Sequence, residues 1–224
     1  MKPFRRNNQM REFDLLIFDM DGVLVDTSPC HRRAYDALWS RLGVAGPPYE
    51  QIAGRKTDEV VAEFTMALQP APAQLHEWVR FKQARAREYL ATEEIIFSDI
   101  ADCLAALAGG QIRMALATGA SRETVGLVFS RLGFADLFSI IMTGEDVIRG
   151  KPAPEIYLKV IRRAAVSPRR TLIVEDSSAG LASAIASGAY VASVRTGARV
   201  EGANFIGAFP DLRELLSYLE APRA

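Results

Sequence analysis

Five short apolar runs, at residues 15–18, 112–117, 138–142, 172–174 and 191–194, recur between segments with helical spacing. They are rich in Val, Ile and Leu. Such runs, alternating with helices, predict a parallel sheet covered on both faces, because each crossover helix must bury one side of it. Four of the runs end in polar or small residues: Asp19-Met20-Asp21, Thr118-Gly119, Thr143-Gly144 and Glu175-Asp176. In an open parallel sheet the carboxyl ends of the strands line the ligand crevice, so these tips are expected to converge on one site.

The spacing of the runs is uneven. The interval of about ninety residues between the first and second reads as helices at 30–42, 57–68 and 73–90, separated by GVAGPPYE and QPAPA. Pro and Gly clusters of this kind punctuate helices. The expected organisation is a core domain of residues 1–28 and 96–224 with an all-helical insert at 29–95, tethered by two linkers near the site and able to act as a lid. A helical elaboration of a single domain is the other reading. No internal repeat or low-complexity tract is present.

Composition narrows the field. The 224 residues are 49% hydrophobic and 24% charged, as in an ordinary globular chain. Lys plus Arg equals Asp plus Glu at 27 each, so no overall field favours nucleic acid or an anionic membrane. The dibasic pairs Arg5-Arg6, Arg32-Arg33, Arg162-Arg163 and Arg169-Arg170 are dispersed, without interleaved aromatics, and read as solvated faces. Cys30 and Cys103 give neither a disulfide framework nor a CxxC metal spacing, which fits a reducing cytoplasm. The start, MKPFRRNNQMREF, lacks a secretory apolar core and no later window approaches a membrane span of about 18 apolar residues. The expectation is a soluble, cytoplasmic protein with roughly ten frayed residues at its start.

The first strand carries the most concentrated chemistry. In FDMDGVLVDT, Asp19 and Asp21 stand at i and i+2 at a strand tip, where paired carboxylates repel and lose hydration unless a cation or proton compensates. Hard oxygen ligands with few His and Cys suit magnesium rather than zinc. Gly22 permits a sharp turn beneath a bound group, although DMDG could also be a plain polar turn. In ATGAS, Thr118 can donate to an anion and the amides of Gly119, Ala120 and their neighbours form the positive end of a helix; Ser121 could equally be an ordinary N-cap. In GKPAPEIY, Lys151 precedes a helix starting near Pro154, where the dipole disfavours a cation unless it faces an anion. In VEDSSAG, Glu175 and Asp176 point to opposite faces, so one carboxylate could reach a metal directly and the other act through a water or lysine.

These pieces, in this order and spacing, resemble the haloacid dehalogenase superfamily over residues 14–194. The likeness is to the branch with a helical cap after the first strand, which includes small-molecule phosphatases and beta-phosphoglucomutase. It implies an α/β fold, a Rossmann-like doubly wound parallel sheet with an inserted α-helical cap. It implies that Asp19 is a nucleophile forming an aspartyl-phosphate and Asp21 the general acid and base. Magnesium would be held by Asp19, the backbone carbonyl of Asp21 and Asp176, with Glu175 beside them; Thr118 and Lys151 would grip the phosphoryl oxygens. His31 resembles a hinge histidine that helps to position the acid/base residue, and Asp26 a structural residue at the start of the cap linker.

Selection of substrate is expected from the cap stretch around Gly54, where Arg55 or Lys56 could bind a distal phosphate or carboxylate. The mutase-like pattern has an arginine where Thr57 falls, and many relatives have a Pro-Gly pair where this chain reads IIFSDIADCL. The resemblance therefore implies first a magnesium-dependent phosphatase acting on a phosphorylated sugar, polyol or similar small metabolite, as a monomer or weak homodimer without nucleic-acid or membrane partners. A phosphohexomutase is the alternative, and an inactive metal-binding partner module the non-enzymatic one.

Overall fold

The structure is a computed structural model and describes residues 9–221. Six strands form one parallel sheet: β1 (Leu15–Phe18), β2 (Arg113–Ala117), β3 (Ile140–Met142), β4 (Thr171–Glu175), β5 (Tyr190–Val194) and β6 (Phe205–Phe209), in the order β3-β2-β1-β4-β5-β6. The chain winds outward from β1 through β2 and β3, then crosses back to place β4 on the other side of β1. Leu15 lies level with Arg113 of β2 and Thr171 of β4, so three strand tips end together at the reversal of strand order.

Nine α-helices complete the fold: α1 (Ser28–Leu42), α2 (Tyr49–Ile52), α3 (Thr57–Phe64), α4 (Pro72–Thr92), α5 (Ile100–Ala108), α6 (Arg122–Leu132), α7 (Glu155–Ala164), α8 (Ser178–Ala186) and α9 (Leu212–Glu220) among the described residues. The sheet's side chains alternate faces with the strand period. Leu16, Phe18, Leu116 and Val174 pack with α5, α6 and α9 on one side. Leu15, Ile17, Ala117 and Ile173 pack with α7 and α8 on the other. Burial on both faces is why these strands read as continuous apolar runs.

The helices between β1 and β2 gather a separate apolar cluster around Leu38, Trp39, Ile52, Val60 and Val61. Tyr35 stacks on Trp39 with ring centroids 5.6 Å apart. The two connections to the sheet run together: Val25 bridges Ile96 antiparallel, and the Asp26 amide donates to the Ile95 carbonyl at 2.7 Å.

Several expectations need correction. The helix expected at 57–68 stops at Phe64, because Thr65 turns its hydroxyl back to the Val61 carbonyl at 2.6 Å and the chain continues as a 3-10 turn, Met66–Leu68. Of the ten N-terminal residues expected to be frayed, Gln9 and Met10 belong to a 3-10 turn, Gln9–Glu12, anchored where Met10 packs on the core; the rest, with Arg5-Arg6, lie outside the described residues. The last strand, β6, was not anticipated: it is a half-buried edge strand whose register with β5 shifts at Ile206. Among the described residues no helix is long and apolar enough to cross a membrane.

Candidate active site

The tips of β1, β2 and β4 and the loop before α7 bring most of the expected residues together. At the end of β1 the chain is held against β4 by the Asp19 amide, which donates to the Val174 carbonyl at 3.0 Å. It then turns tightly at Gly22, whose φ of 82° is open to glycine, and a side chain there would collide with the Asp176 carboxylate. The loop before α7 delivers Lys151, only 1% exposed, beneath the strand tips. Its ammonium donates to Asp19 Oδ1 at 2.6 Å, Glu175 Oε1 at 2.5 Å and the Ala117 carbonyl at 3.3 Å. Burial works against the Lys151 charge, but Asp19 and Glu175 outweigh it and raise its pKa well above the ordinary value.

Glu175 is fully buried and fully employed. Its Oε1 also accepts from the Tyr157 hydroxyl at 2.5 Å, and its Oε2 accepts from the Asp176 amide at 3.0 Å and the Ser177 hydroxyl at 3.2 Å. Asp19, Glu175 and Asp176 present carboxylate oxygens within 4.8 Å of one another. Burial, then the neighbouring carboxylates, pushes Asp176 up to about 9; burial likewise carries Asp19 to about 8 despite Lys151. With all three ionised, one ammonium would leave two negative charges uncompensated, which is why Asp19 and Asp176 are pushed up; the all-oxygen set is matched to a hard divalent cation.

Asp19 and Asp21 both line a small inner cavity between the strand tips and the helices that follow β1, but Asp21 meets it with a different set of partners. Its Oδ1 accepts from the Thr27 hydroxyl at 2.5 Å, and Thr118 donates to its Oδ2 at 3.4 Å. His31 Nε2 stands 3.4 Å from Oδ1, while Nδ1 is 3.0 Å from the Lys82 ammonium. Burial opposes the Asp21 charge, but His31 and Thr27 overcome it and hold its pKa below the usual value. Burial and then the Lys82 charge lower the His31 pKa. Lys82, reaching in from α4 at 3% exposure and resting 4.1 Å from the centre of the Tyr35 ring, is lowered by burial to about 7.

The remaining expected residues divide. Gly119 and Ala120 line the inner cavity, with the Ala120 amide donating to Thr118 Oγ1 at 3.1 Å. Ser121 is the N-cap of α6, accepting from the Thr124 amide. Gly54, with φ of 76°, allows the insert to meet α8 where a side chain would strike Ser177 Oγ. Arg55 lines the inner cavity and pairs with Glu63 at 2.5 Å. Lys56 does not line the inner cavity; largely buried, it lies 3.2 Å from Asp58 and donates to the Val147 carbonyl at 3.2 Å. The tip Thr143-Gly144 lies beside the others without lining the inner cavity: Thr143 spends its amide and hydroxyl on Asp146, each at 2.8 Å, while the Gly144 amide donates to the Ala120 carbonyl at 3.0 Å and Gly144 lines an adjoining outer cavity.

Sequence reasoning missed Lys82, Tyr157 and Thr27. Lys82 had a signal, since it occupies the apolar stripe of α4 with Leu75, Val79, Ala86 and Leu90.

With this geometry in place, the comparisons with known proteins become informative. The family model of haloacid dehalogenase-like hydrolases matches residues 13–188. The chain belongs to the haloacid dehalogenase-like hydrolase family. This hydrolase is 32% identical over 188 residues to Protein CbbY of Cereibacter sphaeroides, covering 78% of this chain and 81% of that one. It is 29% identical to the fructose-1-phosphate phosphatase YqaB of Escherichia coli K12, over 80% of this chain and 95% of that one. Among solved structures it superposes on CbbY from Rhodobacter sphaeroides in complex with phosphate with a TM-score of 0.80 at 28% identity, covering 93% of this chain and 100% of that one.

Proposed function

We propose that this hydrolase is a magnesium-dependent phosphatase that cleaves a phosphomonoester of a small metabolite, a sugar, polyol or similar alcohol, through an aspartyl-phosphate. The observation that carries this reading is the Asp19–Lys151 pair, buried beneath a cavity that Asp21 also faces. The names of its relatives, a fructose-1-phosphate phosphatase among them, support the same substrate class.

In the first step an Asp19 carboxylate oxygen attacks phosphorus, the ester P–O bond breaks, and Asp21, whose protonated form the negative charge of the bound phosphoryl group favours against the lowering by His31 and Thr27, gives its proton to the departing alcohol oxygen. In the second, water attacks the same phosphorus, Asp21 takes the water's proton, and the P–O bond to Asp19 breaks to release phosphate. Lys151 orients Asp19 and offsets charge on the phosphoryl oxygens, with the Thr118 hydroxyl, which the Ala120 amide holds in place, and the Gly119 amide as further donors. His31, backed by Lys82, and Thr27 hold Asp21 towards the leaving oxygen. Asp19, the main-chain carbonyl of Asp21 and Asp176 would hold magnesium, with Glu175 bracing the set; when bound, the ion supplies charge neutralisation of the transferring group. The helical segment 29–95 serves as the cap that excludes water.

The test is phosphate release from a panel of phosphorylated metabolites with magnesium, beside Asp19→Asn. Wild-type turnover reduced by at least about a thousandfold in the variant is the expected result. Activity surviving that substitution would remove the nucleophile, and isomer formation without matching phosphate would make the protein a phosphohexomutase.

A further inference from the structure

The inner cavity is small, about 40 Å³. A single water needs roughly 10–15 Å³ on this measure, so the space takes about the three oxygens of a phosphoryl group and little of the alcohol behind it. Thr57, Gly119 and Ala120, however, also line a second cavity of about 520 Å³ between α3, α4 and the core loops. The leaving group has this adjoining volume to enter.

Its walls state what it accepts. Ala62 of α3 and Pro72, Leu75 and Val79 of α4 give it an apolar face. The charges at its margin are spoken for or negative. Lys56 is held by Asp58 and the Val147 carbonyl; Glu59 accepts from the Gly150 amide at 2.6 Å; Glu145 lies 3.7 Å from Arg122. Arg55, the nearest cation on the inner side, is matched by Glu63. Asp58, Glu59 and Glu145 thus face this volume against two basic groups, Lys56 and His76, the latter with Nδ1 3.0 Å from the Pro72 carbonyl, so the carboxylates outnumber the basic groups. A second phosphate placed there meets repulsion, whereas an uncharged apolar group gains burial.

We infer that the outer cavity is a leaving-group subsite that selects phosphomonoesters of alcohols bearing an uncharged, partly apolar group and rejects bisphosphates. The inference rests on the phosphatase reading of the inner site, and the experiment separates the two. Ethyl, butyl and 2-cyclohexylethyl phosphate have leaving alcohols of similar acidity, and the bisphosphate of butanediol adds a distal charge to butyl phosphate. With magnesium, kcat/KM is expected to rise about tenfold or more from ethyl to cyclohexylethyl phosphate and to fall about tenfold from butyl phosphate to the bisphosphate. Ala62→Phe, which fills the cavity, should cut the cyclohexylethyl-to-ethyl ratio at least about fivefold, and Thr57→Arg should raise the bisphosphate-to-butyl ratio about tenfold.

Calorimetric binding of the same esters to Asp19→Asn gives a readout that needs no turnover. Hydrolysis of ethyl phosphate with no preference in rate or binding overturns the subsite and leaves the phosphatase. Preferential binding of the cyclohexylethyl ester with no hydrolysis of any ester overturns the phosphatase and leaves the subsite. Neither hydrolysis nor preference overturns both, and a preferred bisphosphate overturns the charge argument.

Discussion

The floor and the roof of the site are built on opposite principles. The floor, from Asp19, Lys151, Glu175 and Tyr157, is buried and dense in charge, and the charged groups there are locked to one another. The roof, from α3 and α4, has apolar walls, keeps its ion pairs at the edge and sends one buried cation, Lys82, to His31 beside Asp21. A buried charge network tolerates almost no change, because removing one partner strands the other in a low dielectric. An apolar wall is forgiving, because what it supplies is shape and area. On the proposed function, the chemistry is therefore fixed by the strand tips and the loop that carries Lys151, and recognition is free to vary on the helices.

The sharpest way to break this contrast is Lys151→Met. It leaves Asp19 and Glu175 buried without their cation, and is expected to abolish turnover and to cost roughly 3–5 kcal/mol in urea unfolding. A similar loss of stability with activity retained would mean that the floor is structural only. Leu38→Ala, in the insert's own cluster, should cost about 2–5 kcal/mol of stability while kcat, read on the folded fraction at low temperature, stays within about threefold. Lys82→Met tests the exception. Removing a buried charge whose pKa is lowered should leave the urea midpoint unchanged or higher, while kcat falls about tenfold through a less constrained Asp21.

The smallest effect concerns the loop that carries Lys151. Glu155 accepts from the Ile148 and Arg149 amides at 3.0 and 2.9 Å and pairs with Lys159, and these contacts, led by Lys159, lower its pKa from 4.5 to about 2. A depressed carboxylate contributes stability that is complete above its unfolded value and is lost as pH falls towards the folded one. Glu155→Gln should therefore be slightly less stable than wild type at pH 6, with urea midpoints that converge as pH falls from 4.5 towards 2. A constant gap across that window would show that the contact does not depend on charge.

What could be read from the chain follows from how each part is buried. The central strands announced themselves because both faces are covered, and their tips because Asp19, Thr118 and Glu175-Asp176 follow apolar runs directly. The half-exposed β6 carries no such contrast. The divergence of Asp19 and Asp21 was equally hidden: spacing placed them side by side, whereas the turn at Gly22 gives one to Lys151 and the other to Thr27 and His31. Lys82 lies 51 positions from His31, and only the docking of α4 beside α1 joins them. The apolar stripe of α4 marks Lys82 as buried, but which residue of another element it meets is silent in a linear pattern.

The paired connections at Val25 and Ile96 carry a consequence for how such a protein can change. Because the strand leaving β1 and the strand returning to the sheet are hydrogen-bonded neighbours, the segment between them begins and ends at nearly the same point in space. Lengthening or shortening that segment between its anchor points leaves the strand register untouched, and the entropy of closing it grows only slowly with its length. The junction works as a socket: a new roof can be plugged in over an unaltered floor, so new specificities are open to this architecture without any new catalytic residue having to be found.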